Sequence, residues 1–272
     1  YSLVFDMIQE LNQTSEFNSS YMTTNTTLLE KELLEVASKG WGLVYIDHKH
    51  KIKGVVTYFK YNETIETYDI SGPYTIDSMD VSLELIKKLK ASLGKNAIFN
   101  WFFLRDSNYY TNLMKNIDSK FKGNEYLLHL DKDVFLPKKT LKVSIREALV
   151  NDYSSVDKIH KSAFGPDIYL LTDTMFENKN LYVLEEDGVV IGYCFFKIQS
   201  MRLYIEVIAI DDQYRHKGYG SSFLSEIIEL GFKTKEVSYI ELIVEAINDH
   251  AIDVYKKLGF KIRKVNSSYR LL

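Results

Sequence analysis

Apolar residues recur along this chain at two periods, one of three to four residues and one of two, and the alternation of these periods lays out its elements. Leu3, Met7, Ile8 and Leu11 predict an amphipathic helix ending near Asn12, and a polar run over residues 12–27 reads as an ordered loop or short helix. Residues 28–38 predict a second helix with Leu29, Leu33, Val36 and Ala37 inward and Gly40 as its stop. Strand-like runs follow at 42–47, 54–61 and 64–70, the first two joined by a charged hairpin tip at 48–51. A helix at 81–93 carries Leu85, Ile86 and Leu89. An apolar, aromatic strand at 97–104, a helix at 109–117 and a strand at 126–130 complete this half.

The same order returns. A strand is predicted at 141–147, helices at 154–164 and 172–177, and a hairpin of 181–185 with 189–198, turned by Asp187-Gly188. A strand at 203–210, a helix to residue 233 with Phe223, Leu224, Ile227, Ile228 and Phe232 inward, a strand at 239–244, a helix at 249–258 and a last strand or two follow. Asn108 precedes Asn248 by 140 residues and Gly54 precedes Gly192 by 138. The expectation is two tandem copies of one α/β unit, 1–137 and 138–272, joined near residues 133–139, where Pro137 and two lysines break the pattern.

Composition narrows the classes. With 272 residues, 46% hydrophobic and 26% charged, the chain is long enough for two globular cores. A net charge of −3 gives no general reason to expect nucleic acid or membrane as a partner. The single cysteine, Cys194, excludes an internal disulfide, and Asp6 and Glu10 interrupt the first apolar run, so a cytoplasmic location is expected. His48 and His50 have the i, i+2 spacing of metal ligands without further ligands nearby, and no metal is expected.

Between the strand at 203–210 and its helix lies Arg215-His216-Lys217-Gly218-Tyr219-Gly220. A glycine-containing turn feeding a helix start leaves backbone N–H groups open and, with the helix dipole, forms a seat for phosphate oxygens. Farther on stand Asn248, Ala251, Tyr255, Gly259 and Phe260. Together these resemble the GNAT acetyltransferase superfamily, whose signature is Gln/Arg-x-x-Gly-x-Gly/Ala after the fourth strand and Asn-x-x-Ala-x-x-x-Tyr-x-x-x-Gly-Phe after the fifth. The resemblance covers roughly residues 141–272, with Asp212 standing where many members have proline.

The resemblance implies an acetyl-CoA-dependent N-acetyltransferase that moves an acetyl group directly to a primary amine, on a small molecule or a peptide. It places the pyrophosphate on Arg215, His216, Lys217, Gly218, Tyr219 and Gly220, and pantetheine along the backbone N–H groups of Ile208 and Ile210. Asn248 lies near the coenzyme or caps the helix opened by Asp249. Tyr255 protonates the departing thiolate, or is simply part of a buried helix face. Glu206, interrupting an apolar strand beside Tyr204, is the base or binds a cationic acceptor. Cys194 reads as a small core residue.

The first half lacks the seat. Before its 81–93 helix the chain reads Tyr74-Thr75-Ile76-Asp77-Ser78-Met79-Asp80, where carboxylates would cap the helix in place of a ligand. One coenzyme per chain is expected, with the aromatic strand around Trp101 walling the acceptor cleft. The rival from another class is a non-catalytic acyl-CoA-binding or interaction protein.

Overall fold

The computed structural model describes residues 2–60, 66–94, 96–138, 141–165, 171, 173–177 and 179–272. They form two compact units, Tyr1–Glu125 with Val265–Leu272, and Tyr126–Lys264. The predicted joint at 133–139 therefore lies within the second unit, and part of it, residue 139, lies outside the described residues.

The first unit contains α1 (Ser2–Asn12), α2 (Thr26–Lys39), β1 (Gly42–Ile46), β2 (Ile52–Lys60), β3 (Thr67–Thr75), α3 (Met79–Leu93), β4 (Ile98–Leu104), α4 (Asn108–Lys115) and the start of β5 (Ser119–Asp131). Asn25 caps α2 by accepting the Leu28 N–H, and Gly40 closes it at φ 66°. Leu29, Leu33 and Val36 are buried, but Ala37 is exposed, because at 100° per residue it falls on the flank of the stripe those three define. β1 pairs antiparallel with β2, and β2 with β3. β3 runs parallel to β4 from Thr67–Ile98 to Ile70–Trp101, with α3 as the crossover.

β3 continues past the expected end at Ile70 to Thr75, and Tyr74 and Thr75 are strand rather than loop. Ser71-Gly72-Pro73 breaks the alternation, and the register between β2 and β3 shifts over that stretch, so Pro73 sits at an irregularity where no ladder donor is missed. The predicted strand start at residue 64 lies outside the described residues. Trp101 is fully buried in the core of this unit and donates from Nε1 to the Gly72 carbonyl at 2.6 Å. It cannot wall an acceptor cleft. No carboxylate caps α3, although Asp80 stands in its first turn, where the helix dipole favours it. Ser78 at the N-cap makes no side-chain bond, and Asp77 pairs with Lys53 at 3.0 Å instead.

The second unit contains the rest of β5, then β6 (Ser144–Glu147), α5 (Tyr153–Phe164), α6 (Asp173–Glu177), β7 (Leu181–Glu186), β8 (Val189–Gln199), β9 (Arg202–Ile210), α7 (Tyr219–Lys233), β10 (Tyr239–Glu245), α8 (Asp249–Lys257) and the start of β11 (Lys261–Leu271), whose remainder from Val265 belongs to the first unit. Its strand order is β5-β10-β9-β8-β7-β6. The β7–β8 hairpin turns on Asp187 (φ 50°) and Gly188 (φ 76°), both left-handed as a two-residue turn requires. Leu203, Ile205 and Ile210 of β9 join Phe223, Ile227 and Ile228 of α7 and Ile240 and Leu242 of β10 in one core. Val207 and Ala209 point into a second core under α5.

Both units thus hold a mixed sheet flanked by helices, built as antiparallel, antiparallel, then parallel through a helix. Gly54 of β2 faces Thr75 at the end of β3, and Gly192 of β8 faces Ile210 at the end of β9. The units differ where the third strand enters its helix: the connection is residues 76–78 in the first and 211–218 in the second. No helix among the described residues is long and apolar enough to cross a membrane.

Candidate active site

The site starts from a parting of strands. β9 and β10 pair from Arg202–Tyr239 to Ile205–Leu242, and no further. Just there β9 bulges: Phe195 faces Val207 while Phe196 faces Ile205, leaving Glu206 as the extra residue. Beyond the bulge β9 stays paired with β8, and the Asp211 N–H donates to the Ile191 carbonyl at 2.8 Å. Antiparallel alternation then assigns Val207, Ala209 and Asp211 to bonds with β8 and turns the N–H and C=O groups of Ile208 and Ile210 the other way, into the gap beside β10. The Ile210 carbonyl accepts from Arg215 Nε at 2.9 Å.

That bond makes Arg215 a brace for the loop. Its guanidinium also pairs with Asp212 at 2.7 Å, the residue standing where many GNAT members have proline, and Asp212 in turn accepts from Ser162. His216 (φ 60°) and Gly218 (φ 91°) both take left-handed backbone, which Gly218 adopts without a Cβ penalty. Gly218 is the N-cap of α7 and offers no side chain to cap it. Among the described residues, the backbone N–H groups of residues 217–221 find no partner. A Cβ on Gly220 would meet only Ile210 Cγ1, at 3.6 Å, so nothing in the protein itself demands glycine there. Lys217 lies over the Tyr214 ring at 5.5 Å. The Tyr219 hydroxyl donates to Glu186, which, with burial, raises its pKa.

Tyr255 is buried on α8 among Cys194, Leu258 and Phe260, and its hydroxyl donates to no described protein group. Burial first, then the neighbouring Cys194, pushes its pKa well above that of an ordinary phenol. Cys194 is fully buried opposite Ile208, and burial raises its thiol far above the range of a nucleophile. Asn248 accepts the Ala251 N–H at 3.2 Å and so caps α8. Glu206 pairs its carboxylate with Lys197 Nζ at 2.9 Å.

The acetyltransferase (GNAT) family pattern matches residues 144–260. Residues 144–260 are a GNAT acetyltransferase domain. An L-amino acid N-acetyltransferase of Escherichia coli is 29% identical over 147 residues, covering 47% of this chain and 89% of that protein. Over the full length the fold is shared with a GCN5-related N-acetyltransferase from Sphaerobacter thermophilus, at a TM-score of 0.76, 12% identity, and coverage of 97% of this chain and 92% of that one. A tandem GNAT protein from the clavulanic acid biosynthesis pathway has a TM-score of 0.64 at 11% identity, covering 84% of this chain and 81% of that one. These two likenesses show the fold, a mixed sheet flanked by helices in each unit.

The GNAT domain fits acetyl-CoA on its own geometry. Open N–H groups at 217–221 suit pyrophosphate, a Cβ on Gly220 would meet no protein atom nearer than 3.6 Å, and two strand N–H groups face the gap that a pantetheine arm would enter. Sequence reasoning placed His216 in the loop but did not foresee that its ring lies 4.8 Å from that of His250, which brings the loop against the start of α8. It also missed Lys197, because an alternating strand lysine carries no signal of its partner two strand positions away. Among the described residues no group of His, Cys, Asp and Glu could hold a metal ion.

Proposed function

We propose that the second unit transfers an acetyl group from acetyl-CoA directly to a primary amine, and that the first unit is a copy without coenzyme activity. The parting of β9 from β10 beside the uncapped start of α7 carries this reading. Acetyl-CoA supplies an activated acyl group as a thioester. The N–H groups of residues 217–221 hold its pyrophosphate, and those of Ile208 and Ile210 align the arm and polarise the carbonyl. Glu206 takes the ammonium proton of the acceptor, directly or through water, once that ammonium has displaced Lys197. Tyr255, held protonated by its burial, donates a proton to the leaving sulfur and is reprotonated from solvent. Similarity to an L-amino acid N-acetyltransferase supports an α-amino group as the acceptor.

The test is release of free coenzyme thiol from acetyl-CoA with free L-amino acids, peptides with open or blocked N-termini, and lysine side chains. Thiol release that requires an open α-amine is the expected result. Coenzyme binding without release on any of these amines would favour the non-catalytic reading.

A further inference from the structure

In both units two parallel strands part after four paired residues, but the two gaps are treated differently. In the GNAT domain the edge of β9 turns its N–H groups into the gap. In the first unit, past Ile70 and Trp101, the gap between β3 and β4 already holds a piece of chain, residues 16–20. The Ser20 N–H donates to the Phe102 carbonyl at 3.0 Å, the Leu104 N–H donates to Asn18 O at 3.4 Å, and Ser19 bridges Phe103 antiparallel. On the opposite side Ser19 Oγ lies 3.0 Å from Ser71 Oγ of β3. Asn12 fixes the segment from α1, its Oδ1 accepting the Ser19 N–H at 2.9 Å and the Tyr74 hydroxyl at 3.2 Å.

The segment reaches the helix that follows β4 as well. Glu16 accepts the Tyr109 N–H at 2.7 Å and Asn108 Nδ2 at 3.2 Å, so its carboxylate sits on the start of α4, while Ser107 Oγ donates to the Glu16 carbonyl at 2.7 Å. Phe17 lies 4.4 Å from the Tyr109 ring. What remains open is a cavity of about 550 Å³ lined by Glu16, Phe17, Met79 at the start of α3, and Asn108, Tyr109 and Thr111 of α4. Asn12, Asn18, Ser19 and Ser71 are all buried. Withdrawing the segment would strand their polar groups away from water, which opposes its release.

We propose that residues 16–20 are the resident occupant of the first unit's coenzyme-type gap: a main-chain strand lies where a pantetheine arm would lie, and its Glu16 carboxylate anchors it to the start of α4, the counterpart of α8. The inference rests on the coenzyme reading of the second unit. It replaces missing glycines as the reason for one coenzyme per chain, because even a repaired loop would open onto a filled gap.

Ser19→Cys with Ser71→Cys tests this in the full chain, the only native thiol being the buried Cys194. A disulfide confirmed by intact mass should pin the segment to β3. Acetyl-CoA should then bind once per chain by calorimetry, and thiol release should stay within about two-fold of the reduced variant. Failure to cross-link, two coenzymes per chain, or a ten-fold loss of transfer that reductant restores would overturn the proposal, the last by showing that the segment must move. In the unaltered protein, amide exchange at Ser20 and Leu104 should be slow and unchanged by saturating acetyl-CoA. Faster exchange on binding would equally overturn it. Absence of any coenzyme binding would strike the reading of the second unit instead, while cross-link yield and amide exchange would still judge the segment.

Discussion

Tyr255→Phe separates the chemical role of this residue from its packing role. The substitution removes one oxygen and leaves the ring among Cys194, Leu258 and Phe260. Because the hydroxyl donates to no described protein group, stability at neutral pH should change by less than about 1 kcal/mol. Coenzyme affinity should hold for the same reason. A lost general acid, by contrast, lowers kcat by roughly 10²- to 10⁴-fold. Steady-state thiol release across pH, with calorimetry for acetyl-CoA, reads all three. The linkage has a definite sign. Burial raises the folded-state pKa, so the contribution of Tyr255 to stability is fully present below the ordinary phenol value of about 10 and is lost as pH rises above it. Tyr255→Phe should therefore flatten the alkaline loss of stability. An unchanged kcat would refute the acid role, and a matched fall in kcat and stability would show that the ring had shifted.

At Gly220 the expected effects on fold and ligand oppose each other. Gly220→Ala should raise stability by about 0.5–1 kcal/mol, since the protein leaves room for its Cβ, whereas Gly220→Leu should weaken acetyl-CoA binding at least ten-fold by calorimetry. Glu206→Gln should lower kcat/KM for the amine, and Lys197→Gln should lower KM by removing a competing ammonium, with stability changing by under about 1 kcal/mol because the lysine of that pair is half exposed. A rise in KM with Lys197→Gln would show that the lysine binds the acceptor. Gly259→Ala should lower the Tm, because Gly259 has φ 102° and its Cβ would lie 2.6 Å from the Val134 carbonyl oxygen.

Local chemistry was legible in the chain because it depends on neighbours in sequence. The Asp187-Gly188 turn, the Gly40 stop, the order of helices and strands and the loop before α7 all follow from backbone freedom and short-range apolar spacing. So did the GNAT motifs, whose glycines, Asn248 and Tyr255 lie within single elements. What joins distant residues needed the folded chain. The bulge that singles out Glu206, the lysine that holds its carboxylate, the carbonyl that Arg215 braces and the burial of Trp101 depend on register and on which strands part. The polar run at 12–27 is the clearest case. By composition it reads as an ordered loop or short helix; in the fold its residues 16–20 lie between β3 and β4, where two diverging strands offer the backbone groups and buried side-chain partners that its own amides and hydroxyls require.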